Sequence, residues 1–441
     1  MASPTNFRGL AVIRNTGQVL FYKSFKPEES LDTTLLASVV VSVTSAFRSL
    51  QTNDAVQEIA LHRTKFVFRQ VETYIFVAIT DPALASSLVS GLLTSATALC
   101  TLLCGPPADW AADHVVFNGF QDILTPLFTH LETDLTRLTL GVKHAFMDAS
   151  ARERVSRLLS HIEARDHVLN KATMLLVGHT VLASRFTLAE TRTLTTLYAA
   201  RPLVASPSRH TATAVSIVPV YLRDSWAQLV GCRLHGEYTL LVAAHMDASI
   251  DLLHPVLEAC WQQLVSGRLE LPLEETPLPL RLFAKRETLG LIYHNLRTGA
   301  ALCPVLRPAS ALQHAAIRAA LAAHFTAASA RFERQPGLSR ICDVSEGGLY
   351  NYAVAEGPHR LFLVVSLEGS DGGLTADSVR DHGRPGPGGR GVGAFAGLDA
   401  MGGEMSGGAR GLADPVMGSG GSLDAVSAIA DDVLRNIKAI I

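Results

Sequence analysis

Short runs of closely spaced apolar residues give way along the chain to longer stretches in which they recur every three or four positions, and back again. The first such cycle begins with Leu10–Arg14 and Val19–Phe25, two strands around Asn15-Thr16-Gly17-Gln18, a hairpin turn sequence. Asp32 then caps a helix expected to run through Leu50, with Leu36, Val40, Val43, Phe47 and Leu50 on one face. Val56–His62, Lys65–Gln70 and Tyr74–Thr80 read as three strands rich in Val, Ile, Phe and Tyr. From Pro82 to Ala108 no residue is charged, and Leu84, Leu88, Leu92, Ala96, Leu99 and Leu103 recur at helical spacing. The serines and threonines that interrupt this stretch make it a buried amphipathic helix rather than a membrane span. A second helical stretch is expected from about Ala108 to Thr133.

The order hairpin, helix, three strands, helix then returns. Ala172–Val177 and Thr180–Phe186 flank Gly178-His179, and Thr187 with Glu190 forms a capping box for the helix Leu188–Ala199. Three strands (Val215–Leu222, Ala227–Leu234, Tyr238–Ala244) precede a helix with Leu253, Leu257 and Leu264 on its apolar face. The third pass starts at Leu289–His294 and Ala300–Leu306, joined across Arg297-Thr298-Gly299. Ser310 caps its Ala-rich helix, and strands follow at Leu338–Val344, Leu349–Ala355 and Arg360–Leu367. The expected fold class is α+β, three units each with a five-stranded antiparallel sheet and helices on both faces. The units span 5–147, 167–267 and 281–441, with a charged, solvated helical connector at 148–166.

The third unit's last helix is displaced. Of the 34 glycines in the chain, 18 lie between Gly369 and Gly421, and helical periodicity resumes only at Ser422, with Leu423, Val426, Ala430, Val433, Ile437 and Ile440 on one face. Residues 369–421 therefore read as a disordered Gly-rich insertion inside the third unit. Its four arginines and six acidic residues account for the whole net charge of −2. Without a basic excess there is no electrostatic footprint for nucleic acid. Six scattered cysteines and a start without a cationic, then apolar, segment indicate a reduced intracellular setting.

The threefold order resembles that of the triple-longin family, whose branches include the Mon and Ccz vacuolar-fusion proteins, the Hermansky–Pudlak syndrome proteins and a pair of planar-polarity proteins. The resemblance is carried by Phe66-Val-Phe-Arg-Gln-Val-Glu-Thr-Tyr-Ile-Phe-Val-Ala-Ile, Val218-Pro-Val-Tyr-Leu222, Leu253–Leu264 with its Cys260-Trp261, and Thr288-Leu-Gly-Leu-Ile-Tyr-His294. Length and wording are most similar to the planar-polarity branch. That resemblance implies a heterodimer with an Inturned-like triple-longin protein, nucleotide exchange on a Rab-family GTPase, and a larger ciliogenesis and planar polarity effector complex. It also implies a cytoplasmic, cytoskeletal and basal-body location, with any membrane association peripheral and through the complex. A non-catalytic longin scaffold in vesicle trafficking and a Mon-like endosomal exchange-factor subunit remain alternatives.

Motifs for covalent chemistry are missing from the chain. It holds no G-x-x-x-x-G-K-[ST] and no His-Glu-x-x-His. Gly391-Val-Gly393 with Gly397 lacks the strand and the spacing of a dinucleotide loop. Cys100 and Cys104 sit one helical turn apart without partners at zinc-site spacing, so they read as buried core thiols. No catalytic residue, cofactor or metal is expected, and the chain is not expected to be an enzyme of covalent chemistry. Exchange needs none of these, because it requires only surface that prefers the nucleotide-free GTPase. The candidate surface is on the first helix, which has no charge between Asp32 and Arg48. Thr34, Ser38, Val41, Ser45 and Ser49 lie opposite its core stripe, and small uncharged residues permit close packing against a partner.

Overall fold

The computed structural model describes residues 7–26, 32–49, 57–110, 120–129, 135–145, 147, 149–200, 214–234, 238–265, 288–306, 310–345, 349–366 and 420–440. Strands β1 (Phe7–Arg14) and β2 (Val19–Ser24) form the first hairpin, followed by helix α1 (Thr33–Ser49). Strands β3 (Glu58–Ala60), β4 (Lys65–Val71) and β5 (Tyr74–Thr80) complete an antiparallel sheet in the order β2-β1-β5-β4-β3. Every residue of β5 is buried, because both faces of the sheet are covered. Phe76 and Ala78 point into one apolar cluster, Ile75, Val77 and Ile79 into another.

Helices α2 (Ser86–Cys104), α3 (Gln121–Thr129) and α4 (Leu135–Leu138) come next, then the two-residue strand β6 (Val142–Lys143) and helix α5 (Ala149–Glu163). The second sheet takes β7 (Val168–Val177), β8 (Thr180–Ser184), β9 (Ala214–Leu222), β10 (Ser225–Arg233) and β11 (Tyr238–His245), with helix α6 (Leu188–Ala200) after its hairpin and α7 (Ile250–Val265) at its end. Its order, β8-β7-β11-β10-β9, repeats that of the first sheet. The third contains β12 (Thr288–Asn295), β13 (Ala300–Leu302), β14 (Arg340–Val344), β15 (Leu349–Glu356) and β16 (His359–Ser366), with α8 (Ala311–Arg334) and α9 (Gly420–Ile440). The chain is thus α+β, with three antiparallel sheets of five or six strands.

The expected helix starts are present at the level of hydrogen bonds. Asp32 Oδ1 accepts from the N–H groups of Thr34 (2.8 Å) and Leu35 (3.2 Å). The box at α6 is reciprocal: Thr187 N–H donates to Glu190 Oε2 at 2.7 Å, and Glu190 N–H to Thr187 Oγ1 at 3.2 Å. Ser310 Oγ accepts from Gln313 N–H at 3.1 Å.

The helix after each hairpin does not always take the same side. In the second and third units it turns inward. Helices α6 and α8, with α2 from the first unit, share one apolar cluster with the inner faces of all three sheets. The outer faces are closed separately: α1 over the first sheet, α5 and α7 over the second, α9 over the third. Helix α2 is uncharged and long enough to cross a membrane by composition, yet it is the centre of this shared core, with Val89, Leu92, Leu93, Ala96 and Leu99 fully buried.

Two expectations need correction, and a third falls almost wholly outside the described residues. The third sheet has six strands, not five, because β6, from the stretch read as the end of the first unit, adds to its edge parallel to β13. Two residues carry no periodicity from which such a strand can be read. The solvated connector 148–166 is largely a core helix: Ala151, Val155, Leu158, Leu159 and Ile162 of α5 are buried against the second sheet, while its arginines line the other side. The Gly-rich stretch 369–421 lies outside the described residues except at its last two positions, Gly420 and Gly421, which already belong to α9.

One contact ties the first unit to the third. Ala85 precedes α2 and has no side-chain acceptor, so its exposed N–H groups find one elsewhere: Glu333 of α8 accepts from Ser86 (3.2 Å) and Ser87 (3.1 Å). Buried Lys65 joins this end through the Leu84 carbonyl and Ser86 Oγ. Burial lowers its pKa, and the nearby carboxylates of Glu58 and Glu333 work against that shift. Glu333→Ala is expected to cost about 1 kcal/mol in urea denaturation, a typical value for a lost cap. Glu333→Gln should retain part of it, since an amide oxygen still accepts.

Candidate partner interface

Helix α1 is held to the first sheet by few residues. Leu36, Ala37 and Val40 are buried against Ala11, Ile13, Ile75, Val77 and Ile79, and Val41 packs partly against the same cluster. The expected core stripe is thus right at Leu36 and Val40, but Val43 is only half-buried. The side chain of Phe47 and residue Leu50 lie outside the described residues.

Thr34, Ser38 and Ser45 of the expected interface are exposed, as required. Val41 is half-buried and faces the sheet more than solvent, so it is removed from the candidate surface. The side chain of Ser49 is outside the described residues. The structure adds two residues that the sequence reading passed over. Leu35 is 64% exposed and Val39 48%, one helical turn apart, and Ser42 and Ala46 continue the same stripe outward. The signal was present in the run Leu35-Leu36 and Val39-Val40-Val41: apolar residues there spread wider than one core face requires.

The outward side of α1 is therefore uncharged and partly aliphatic over three turns. Ser38 Oγ and Thr44 Oγ1 donate to carbonyls one turn back, which satisfies those hydroxyls within the helix. Their hydrogen bonds leave a surface with little polar character to strip of water. The same helix in the other two units is covered by the central core. Only in the first unit does the helix after the hairpin face outward.

A shallow depression of about 400 Å³ is lined by Ala164, Arg165, Asp166, His167, Leu252, Pro255 and Ala259. No group of three or more His, Cys, Asp or Glu able to hold a metal occurs among the described residues. Cys100 and Cys104 are free thiols in the core; burial raises both, Cys104 to about 11, which leaves them protonated and unreactive at neutral pH.

No family model matches this chain, and no curated protein matches it in sequence. Among solved structures it is similar to Myxococcus xanthus MglB, at 18% identity and a TM-score of 0.16, over 18% of this chain and 67% of that one.

Proposed function

We propose that this chain is one subunit of a heterodimeric Rab guanine-nucleotide exchange complex built from two triple-longin proteins. In length and wording it is Fuzzy-like, which makes the partner an Inturned-like protein and the setting cilium assembly and planar cell polarity. The observation that carries the reading is the outward face of α1, with exposed Leu35 and Val39 and no charge between Asp32 and Arg48. Surface helices usually present Lys and Glu to water; an uncharged face of Leu, Val, Ser and Ala favours packing against another protein.

Exchange fits a chain without a catalytic centre. Binding the nucleotide-free GTPase more tightly than the loaded form shifts the equilibrium toward release, and no proton or bond has to be moved by a side chain. The heterodimer supplies a shaped surface.

The test uses the chain co-expressed with an Inturned-like partner. Leu35→Lys with Val39→Lys is expected to weaken association about 30-fold or more, the effect of losing roughly 2 kcal/mol at a buried apolar contact. Ser38→Lys with Ser45→Lys should weaken it less. Undiminished co-purification of both variants sinks the interface. Release of fluorescent GDP from Rab proteins then reports exchange, and no acceleration with any Rab would leave the scaffold reading in its place.

A further inference from the structure

A row of basic side chains crosses the inner face of the third sheet where it meets the second unit. Directly paired residues on neighbouring strands point to the same face. Arg360 on β16 pairs with His294 on β12, His294 with Ala301 on β13, and Ala301 with Lys143 on β6. The added sixth strand thus extends the row to Lys143. Arg192 of α6 comes in from the second unit. One of its terminal nitrogens lies 3.2 Å from the point where a Cβ on Gly299 would stand. Gly299 has φ +67° in the turn between β12 and β13, so the turn both needs glycine and lets the guanidinium approach.

Three basic groups, Arg192, Arg360 and His294, meet here without an acid, and Lys143 stands at the end of the same row. Among the described residues no carboxylate forms an ion pair with Arg192, Arg360, Lys143 or His294; the nearest acidic residue on α6, Glu190, is taken by Arg223 at 2.9 Å. Burial lowers the pKa of both Arg192 and Arg360, and no acidic neighbour offsets it. His294 is 8% exposed, and its Nε2 has no hydrogen-bond partner; the same holds for Arg192 Nε. Burial and then the charges of Arg192 and Arg360 push its pKa down to about 4. Desolvated cations without a counter-charge cost several kcal/mol, and an anion placed among them would remove that cost.

We infer that the crease between α6 and the edge of the third sheet is a binding site for a small soluble phosphate-type anion, held by Arg192, Arg360, Lys143 and His294. The chemistry favours phosphate: the Arg192 fork matches its oxygens, Arg360, whose Nη1 donates to the Gly357 and His359 carbonyls, keeps its other nitrogens for it, a lysine adds a point charge, and the imidazole supplies one further donor. Arg192, Arg360 and Lys143 are each partly exposed, so solvent reaches the crease. His294 lies too deep between two units for the flat surface of a bilayer to meet it. The site stands independently of the exchange reading.

The test takes the full chain with ¹³C-labelled histidine and follows the His294 imidazole through a pH titration, in potassium chloride and in potassium phosphate at equal ionic strength. Phosphate is expected to raise the His294 titration midpoint by a unit or more, because the bound anion favours the imidazolium. Melting temperature should rise saturably with phosphate, and more steeply with pyrophosphate. Arg192→Gln and Arg360→Gln should each weaken that response about tenfold or more, the value of one charge-assisted contact. The titration of the unaltered chain decides the matter even where those variants fail to fold. An unmoved His294, or an equal effect of chloride, overturns the site. Sedimentation with phosphoinositide vesicles that depends on the same arginines, without a response to free phosphate, would replace the soluble ligand with a lipid headgroup and overturn it in the form given.

Discussion

Val433→Asp is expected to unfold the third unit, at a cost of about 4 kcal/mol or more. Val433 sits in the middle of α9, where Val426, Ile429, Ala430, Leu434 and Ile437 are buried with it against Leu291, Tyr293, Leu361, Leu363 and Val365. No described cation is placed among these side chains to receive a carboxylate. An aspartate there must either stay charged in an apolar cluster or take up a proton, and both are costly. Among the described residues, helix α9 is also the only element that closes this face of the third sheet. Its loss would uncover the sheet from β12 to β15.

The polar rim of α9 is too weak to hold it once the apolar face is lost. Arg340 reaches Asp431 at 3.0 Å and Ser427 Oγ at 2.6 Å, and Lys438 reaches Glu356 at 2.7 Å, all at or near the surface. Exposed pairs of this kind contribute well under about 1 kcal/mol each. Arg435→Ala, on the exposed side, is the matched control, with an expected effect within about 0.5 kcal/mol. Urea denaturation measures both. Hydrogen exchange separates local from global loss: amides of β15 and β16 should lose protection in the Val433 variant while those of β4 and β5 keep it. Equal stability of Val433→Asp and the native chain would mean that α9 does not occupy this face.

The repeated order was legible because its signals are local. Asp32, Thr187 with Glu190, and Ser310 each announce a helix through a side chain that accepts from the next turn, and all three do so. Helix α9 was legible from its period alone, far along the chain from the sheet it covers. What the residues could not show was which apolar face meets which. Periodicity states that a face is buried, not what lies against it, and α1, α6 and α8 have similar patterns while only α1 looks outward. Helix α5 was misjudged because three arginines and two glutamates masked the spacing of Ala151, Val155, Leu158, Leu159 and Ile162. The crease beside His294 was out of reach for another reason. Its basic groups come from four separate stretches of sequence, and only strand pairing and the packing of α6 bring them together.

Stability is expected to fall steeply between pH 6.5 and pH 4, a loss that begins well above the range in which carboxylates titrate. Two histidines set this window. His294 is held at about 4 by burial and by the charges of Arg192 and Arg360. His324 of α8, 5% exposed and edge-on to Phe362, is also held at about 4, by burial first; the Tyr352 backbone and Asp343 oppose the shift and Arg331 adds to it. An unfolded histidine titrates near 6.5, so between the two values the unfolded chain binds more protons than the folded one. Stability from each group is complete above pH 6.5 and is lost as the pH falls toward 4. Each contributes roughly 2 kcal/mol of loss by pH 5 and roughly 3 kcal/mol at the limit. Carboxylates act lower: Glu190, burdened by burial but held down by hydrogen bonds from Arg223 and Thr187, loses its contribution only below its ordinary value. Urea midpoints in phosphate-free chloride buffer, taken from pH 7.5 to 4.5, measure the slope. His294→Gln and His324→Gln should each remove about half of it; the first costs less at pH 7.5, because the His294 Nε2 has no hydrogen bond to lose, whereas the His324 ring gives up its bond to the Tyr352 backbone. A profile flat down to pH 5 would mean that both imidazoles accept protons freely in the folded chain, with water reaching His294 and His324 themselves.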